Sequence, residues 1–268
     1  MNTIGIIPAR MDSSRFPGKP LARINDIPMI GHVYFRSKMS KAIDKVYIAT
    51  CDREIAEYAN KIQAPCIMTR PDQPGATDRT AEAMQKIEKQ TKKRVDIAVM
   101  IQGDEPMLHP QMLDEAVGPM KEDPSIVVIN LMSPLKTKEE HEDPNEVKVV
   151  VDKRGDAIYF SREPIPSWKK GAKNVPMLKQ VCVIPFRRDF LLSFNKRQRT
   201  PLEIIESIDM LRAIENGYKV RMVFTRYETY SVDTPEDLLH VAQLLQSDPL
   251  VAKYSRLRQK ATRSKVIA

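Results

Sequence analysis

Three cysteines, Cys51, Cys66 and Cys182, are odd in number, widely spaced and free of CxxC pairs, which argues against a disulfide framework and against a zinc site. They are expected to be buried free thiols. The apolar runs stop at strand length, so no membrane-spanning helix is expected. Ile4 to Ile7 is too short for the core of a signal peptide and Arg10 follows at once, which points to the cytoplasm. There is no internal repeat, no low-complexity segment and one tryptophan, Trp168. Acidic residues are outnumbered, 35 against 43 Lys and Arg, giving a formal charge of +8 that invites a nucleic-acid reading. Six of those charges lie from Lys253 onward, where no acid occurs, so the body carries only +2. A short basic tail is more often a solvated end than a binding site, and neither nucleic acid nor membrane is expected as a partner.

What is present is a chain of 268 residues with 42% apolar content, enough for one large α/β domain with a subsidiary lobe or for two small domains. Its organising stretch runs from Pro8 to Leu21. Upstream, Thr3 to Ile7 reads as a strand covered on both faces in a parallel sheet, and the loop that follows leaves its carboxyl end, where open α/β sheets bind ligands. Arg10, Arg15 and Lys19 put three cations on a loop stiffened by Pro8, Pro17 and Pro20, with Gly18 permitting close backbone approach and Ser13 and Ser14 adding hydroxyls. Guanidinium forks match phosphate oxygens in pairs, and an ammonium neutralises phosphate as a point charge. Three cations suit a triphosphate. A solvated basic loop beside an ordinary strand would carry the same residues.

Further along, Pro28 opens a helical pattern through Tyr34, Val46 to Ala49 forms a strand, and Asp52 is placed to cap a helix through Ile55 and Tyr58. Cys66 to Met68 is a strand, and Thr77 or Asp78 should cap the helix carrying Ala81, Met84 and Ile87. Ile97 to Ile101 is the most apolar strand, followed by a helix from Pro110 and a strand from Ile126 to Leu131. From about Asn145 the pattern changes. Val147 to Val151 and Ala157 to Phe160 flank a turn as in a hairpin, Val181 to Ile184 is a strand, and Leu202 to Asn216 is a helix ended by Gly217. Val220 to Phe224 precedes a last helix capped by Asp233 or Thr234, with Pro235 at its first position. The alternation in the first half predicts an α/β fold with a parallel sheet in three layers.

Asp104 falls at the end of the most apolar strand, where a carboxylate facing the basic loop suits a magnesium ion bound to phosphate. It could equally cap the next turn. Asp233 admits the same two readings.

The ordered set IPARMDSSRFPGKPL, PMIGHV, GATDRTAEA, IQGDEPM, DPNEVKVVVD, AIYFSREPIP, TPLEIIESIDMLR and VDTPEDL resembles the cytidylyltransferases for acidic sugars. The resemblance is greatest to the 3-deoxy-manno-octulosonate (Kdo) enzymes, and acylneuraminate cytidylyltransferases are more distant. It covers the chain to about Leu238. It implies transfer of CMP from CTP to a sugar acid with release of pyrophosphate, dependence on Mg2+, a homodimer, and a place in lipopolysaccharide synthesis. By motif, Pro8, Ala9, Arg10, Ser14, Arg15, Lys19, Thr77 and Arg79 would bind nucleotide, with Arg10, Arg15, Lys19 and Asp104 catalytic. Gln102 would lie near the sugar, and Asp104 and Asp233 would bind magnesium. The implied fold is a three-layer, Rossmann-like nucleotidyltransferase domain, residues 1–144 and 185–250, with a smaller β-rich dimerisation lobe, residues 145–184, and a basic tail from 251. Trp168 would fall in that lobe.

The chain departs from the Kdo pattern where that family contacts its sugar. The family's HLGIYAYR reads here from Gln180 to Arg187, so histidine has become Gln180 and tyrosine Ile184, and a glutamate-glutamine pair has become Asp209-Met210. Ala76 stands where a glycine is usual. The acceptor is therefore open between Kdo, another 3-deoxy sugar acid, an acylneuraminate and a phosphonate. A nucleotide-sugar glycosyltransferase and a basic nucleic-acid-binding protein are the remaining alternatives. Neither His32 nor His109 falls in a motif that would make it a general base.

Overall fold

The computed structural model describes residues 1–12 and 16–254. In chain order the first elements are β1 (Thr3–Ala9), the short ribbon β2 (Arg23–Ile24) and β3 (Ile27–Pro28), α1 (Met29–Ser37), β4 (Lys45–Thr50) and α2 (Arg53–Lys61). Then come β5 (Cys66–Met68), α3 (Ala76–Thr91), β6 (Ile97–Ile101), α4 (Pro110–Glu122), β7 (Ile129–Pro134) and α5 (Lys138–Glu142). The hairpin strands β8 (Lys148–Val151) and β9 (Ala157–Ser161) precede β10 (Leu178–Val181), β11 (Val183–Arg187) and α6 (Arg188–Asn195). The chain closes with α7 (Pro201–Glu206), α8 (Met210–Glu215), β12 (Arg221–Phe224) and α9 (Pro235–Gln246). Two compact units result: Met1–Asp114 with Glu228–Ala268, and Glu115–Tyr227. The stretch expected to form a lobe, 145–184, lies within the second unit, which begins earlier and ends later.

In the first unit β6, β1, β4 and β5 lie side by side in that order, all parallel. Every residue of β1 and β6 is buried, which requires cover on both faces of the sheet and explains why these strands are unbroken apolar runs. Helices α1 and α3 pack against β1, and α2 packs against β4 and β5. No described helix is long and apolar enough to cross a membrane.

In the second unit the sheet order is β12-β7-β10-β8-β9. Only β12 and β7 are parallel; the other neighbours are antiparallel, as the predicted hairpin required. Trp168 is half-buried, its ring 4.5 Å from that of His141 and with Lys138 Nζ 5.3 Å from its centroid.

Several expectations need correction. The strand expected at Ile126–Leu131 is displaced to Ile129–Pro134, and the run Val181–Ile184 is divided between β10 and β11 at Cys182. The single helix expected from Leu202 breaks at Ser207, whose left-handed φ of 57° ends α7 before α8 begins. All three cysteines are free, as expected, but partly exposed rather than buried. Gly75, not Thr77 or Asp78, occupies the N-cap position of α3.

Candidate active site

The basic loop is anchored from outside itself. Asp52 stands at the N-cap position of α2 yet makes no cap bond; its Oδ2 accepts from the Met11 amide at 2.7 Å. Gly18 N then donates to Met11 O at 3.0 Å and closes the loop. Gly18 has φ 75°, a conformation that favours glycine, and it turns the chain into a single 3-10 turn, Lys19–Leu21. Pro8 and Ala9 are buried at the end of β1, and Arg10 is exposed just beyond it. Ser14 and Arg15 lie outside the described residues.

Lys19 is the point on which two distant segments converge. Its Nζ lies 2.9 Å from Asp104 Oδ2 and 3.0 Å from Asp233 Oδ1. Burial opposes the charge on Lys19, but the two carboxylates more than offset it and raise its pKa above the ordinary lysine value. Asp104 reaches this place because Gly103 lets the end of β6 press on β1: a Cβ there would lie 3.2 Å from Pro8 O. Gln102 is half-buried next to it.

The position of Asp233 is set by its neighbours. Val232 N donates to Asp104 O at 2.9 Å, and the Val232 side chain is buried with Ile24, Met29, Val241 and Leu245. Thr234 is the N-cap of α9, its Oγ1 accepting from Asp237 N at 3.2 Å. Asp237 in turn accepts from the amides of Asp233 and Thr234 at 2.9 and 2.8 Å. This capping box satisfies the helix end and leaves the Asp233 carboxylate to face Lys19. The choice between cap and charged partner is thus decided, with Thr234 as cap.

On α3, Thr77 is buried with its hydroxyl 3.6 Å from Met100 Sδ. Arg79 is also buried, and its guanidinium donates to the Thr69 hydroxyl and to Arg70 O. Glu82 accepts from Arg70 N and from Gln73 Nε2, at 3.0 and 2.6 Å. Burial works against its ionisation, yet bonds from Lys86, Arg70 and Gln73 hold its pKa below the usual carboxylate value. Arg79 and Glu82 together brace the loop that leads into α3.

In the second unit Gln180 lies on β10 and donates through Nε2 to Asn130 at 2.5 Å. Ile184 is a buried residue of β11, Met210 is the buried first residue of α8, and Asp209 is half-buried at the N-cap position of α8.

Among the described residues, Lys19, Asp104 and Asp233 are sequence-derived residues that the structure joins directly. Asp52 is read from the sequence only as a helix cap, and three further supporting residues have no binding role there: Glu82, Asp237 and Glu105, the last buried and accepting from the Thr229 hydroxyl. Asp237 carried a signal, since Thr-Pro-Glu-Asp can form a capping box; the others are matched by contacts remote in sequence. Both histidines are engaged elsewhere in the fold. Burial above all, opposed by the bond to Ile24 O, lowers the His32 pKa to about 4, and His109 Nδ1 accepts locally from Gln111 N at 3.3 Å.

The cytidylyltransferase family model matches residues 4–223. A 3-deoxy-manno-octulosonate cytidylyltransferase of Syntrophotalea carbinolica is 43% identical over 90% of this chain and 97% of its own. The mitochondrial enzyme of that name from Arabidopsis thaliana is 40% identical over 91% of this chain and 83% of its own. Among solved structures, a CMP:2-keto-3-deoxy-manno-octonic acid synthetase complexed with CTP superposes with a TM-score of 0.85, at 36% identity, covering 92% of this chain and 99% of that one. A cytidylyltransferase from Leptospira borgpetersenii, 17% identical with a TM-score of 0.55 over 88% of this chain and 83% of its own, shares the fold.

Proposed function

From the premise that the chain belongs to the cytidylyltransferase family, we propose that it transfers CMP from CTP to 3-deoxy-manno-octulosonate through the group formed by Lys19, Asp104 and Asp233. The reaction is CTP-dependent nucleotidyl transfer. A sugar hydroxyl oxygen bonds to the α-phosphorus as the bond to the leaving pyrophosphate breaks, and the hydroxyl proton goes to solvent. Such a transfer needs alignment of the two reactants and neutralisation of spread negative charge more than covalent help.

The observation that carries the reading is the convergence of two carboxylates, one after β6 and one before α9, on a single ammonium. Asp104 and Asp233 are hard oxygen donors already turned toward one cationic position, which fits Mg2+. Among the described residues no group of three or more His, Cys, Asp or Glu is placed to hold a metal, so the protein would supply two carboxylates and leave other positions to water and phosphate. When bound, Mg2+ would add Lewis-acid neutralisation of phosphate charge. Lys19 with Arg10 and Arg15 binds the triphosphate and stabilises the departing pyrophosphate. Ala9, Thr77 and Arg79 would line the cytidine pocket. Gln102, Gln180, Ile184, Asp209 and Met210 belong to acceptor binding. The reading carries with it a homodimer and a cytoplasmic site of action, where CTP is made.

The test is pyrophosphate release with CTP and magnesium, comparing Kdo, an acylneuraminate, a phosphonate and no acceptor. Release with Kdo alone is expected. The substitutions at Gln180, Ile184 and Met210 favour a second reading in which a different acid is used, and release with that acid in place of Kdo would establish it.

A further inference from the structure

Asn130 on β7 has no exposed surface, and a buried amide is costly unless its hydrogen bonds are made. Both ends of the amide are engaged. Nδ2 donates to Leu131 O at 2.9 Å and to Val181 O at 2.7 Å, and Oδ1 accepts from Gln180 Nε2 at 2.5 Å. Backbone carbonyls only accept, so the NH2 end of Asn130 must face them and its oxygen must face Gln180. That settles the orientation of Gln180 as well. Turning its amide over would set two oxygens against each other in a buried place. Gln180 itself is half-buried, and its Oε1 has no hydrogen-bond partner among the described residues.

We infer that Asn130 is a positioning residue for acceptor choice: it holds Gln180 so that the side chain presents an oxygen, which selects a sugar acid offering a hydroxyl donor there over one offering a carboxylate. The inference rests on the reading above that Gln180 belongs to acceptor binding. A neutral histidine in this place could donate or accept by changing tautomer. Gln180 backed by Asn130 has one Nε2 hydrogen engaged and cannot exchange its two ends, so its oxygen stays turned away from Asn130 as an acceptor. The buried pair thus narrows the chemistry permitted at one point of the acceptor.

The test is steady-state pyrophosphate release with CTP and Kdo for the wild type, Gln180→Met, Asn130→Leu and the double variant. Each single change is expected to raise the KM for Kdo by ~10-fold, the scale of one lost hydrogen bond, while the KM for CTP stays within about twofold. The double variant should be no worse than the worse single, because both remove the same contact. Losses that multiply, equal effects on CTP, or an unchanged KM for Kdo would overturn the inference. Thermal melts report whether Asn130→Leu folds. If it does not, Gln180→Met decides the matter with monodeoxy analogues of Kdo: one analogue must lose ground in the wild type and none further in the variant, and uniform losses in both would overturn it. A wild type that ignores Kdo but uses another acid refutes the Kdo reading, and the same series with that acid decides this one. No release with any acid would overturn both.

Discussion

In the second unit Arg212 meets Glu203 through two hydrogen bonds of 2.7 and 2.6 Å, with side chains 4% and 5% exposed and the Phe194 ring 4.3 Å from the guanidinium. In the first unit Lys19 lies between Asp104 and Asp233, which remain 24% and 21% exposed. Both are charged groups removed from bulk water. The sealed pair is bidentate, its members are nine residues apart, and Glu203 also accepts from the Thr200 amide while Arg212 donates to Phe194 O. The open group joins three segments, and its carboxylates retain contact with solvent. The first arrangement serves the fold, while the second keeps its carboxylates at the solvent-exposed end of the sheet strand and helix that carry them.

Four measurements would break or sharpen that contrast. The largest effect is expected from Glu203→Leu, which leaves Arg212 charged and unpaired and should cost about 3–5 kcal/mol in urea unfolding. A loss below about 1 kcal/mol would mean that the pair is not the structural element proposed.

Next is acid. His32 is fully buried, its Nδ1 2.6 Å from the Tyr254 hydroxyl and its Nε2 3.0 Å from Ile24 O. Because burial lowers its pKa from 6.5 to about 4, the unfolded chain takes up a proton before the native one does. The contribution is complete above pH 6.5 and is lost as pH falls toward 4, to a limit of about 3 kcal/mol. Urea unfolding of wild type and His32→Gln across that interval should show the wild type losing stability faster. Parallel profiles would refute this.

The open group is tested by Asp104→Asn, which should reduce turnover by at least ~10²-fold while leaving the melting temperature within a few degrees. Near-normal turnover at limiting magnesium would remove Asp104 from the chemistry. The smallest effect is expected from Thr234→Ala, a loss of about 1 kcal/mol from one cap bond. Its turnover should fall much less than that of Asp104→Asn, and an equal fall would mean that the cap and the carboxylate act as one unit.

Much of this was legible in the chain itself. The apolar runs at β1 and β6, the hairpin of β8 and β9, the start of α9 at Thr234 and Pro235, and the cations of the first loop follow from local rules. Periodicity, capping and turn chemistry act over a few residues, and so they survive in a one-dimensional reading. The motif series added the family and with it the expectation that Asp104 and Asp233 work together. What failed was local too: the helix after Leu202 broke because Ser207 adopts a left-handed conformation that nothing in its neighbours requires.

Only the tertiary structure decided which partner each charged residue takes. Asp52 and Asp233 both stand where a cap would, yet one holds the Met11 amide 41 residues away and the other holds Lys19, 214 residues away. Arg79 bonds to the loop before its own helix, and Asn130 decides which end of Gln180 is offered outward. A carboxylate or an amide bonds to whatever complementary group the fold brings within about 3 Å. Sequence supplies the groups; the approach of distant segments selects among them.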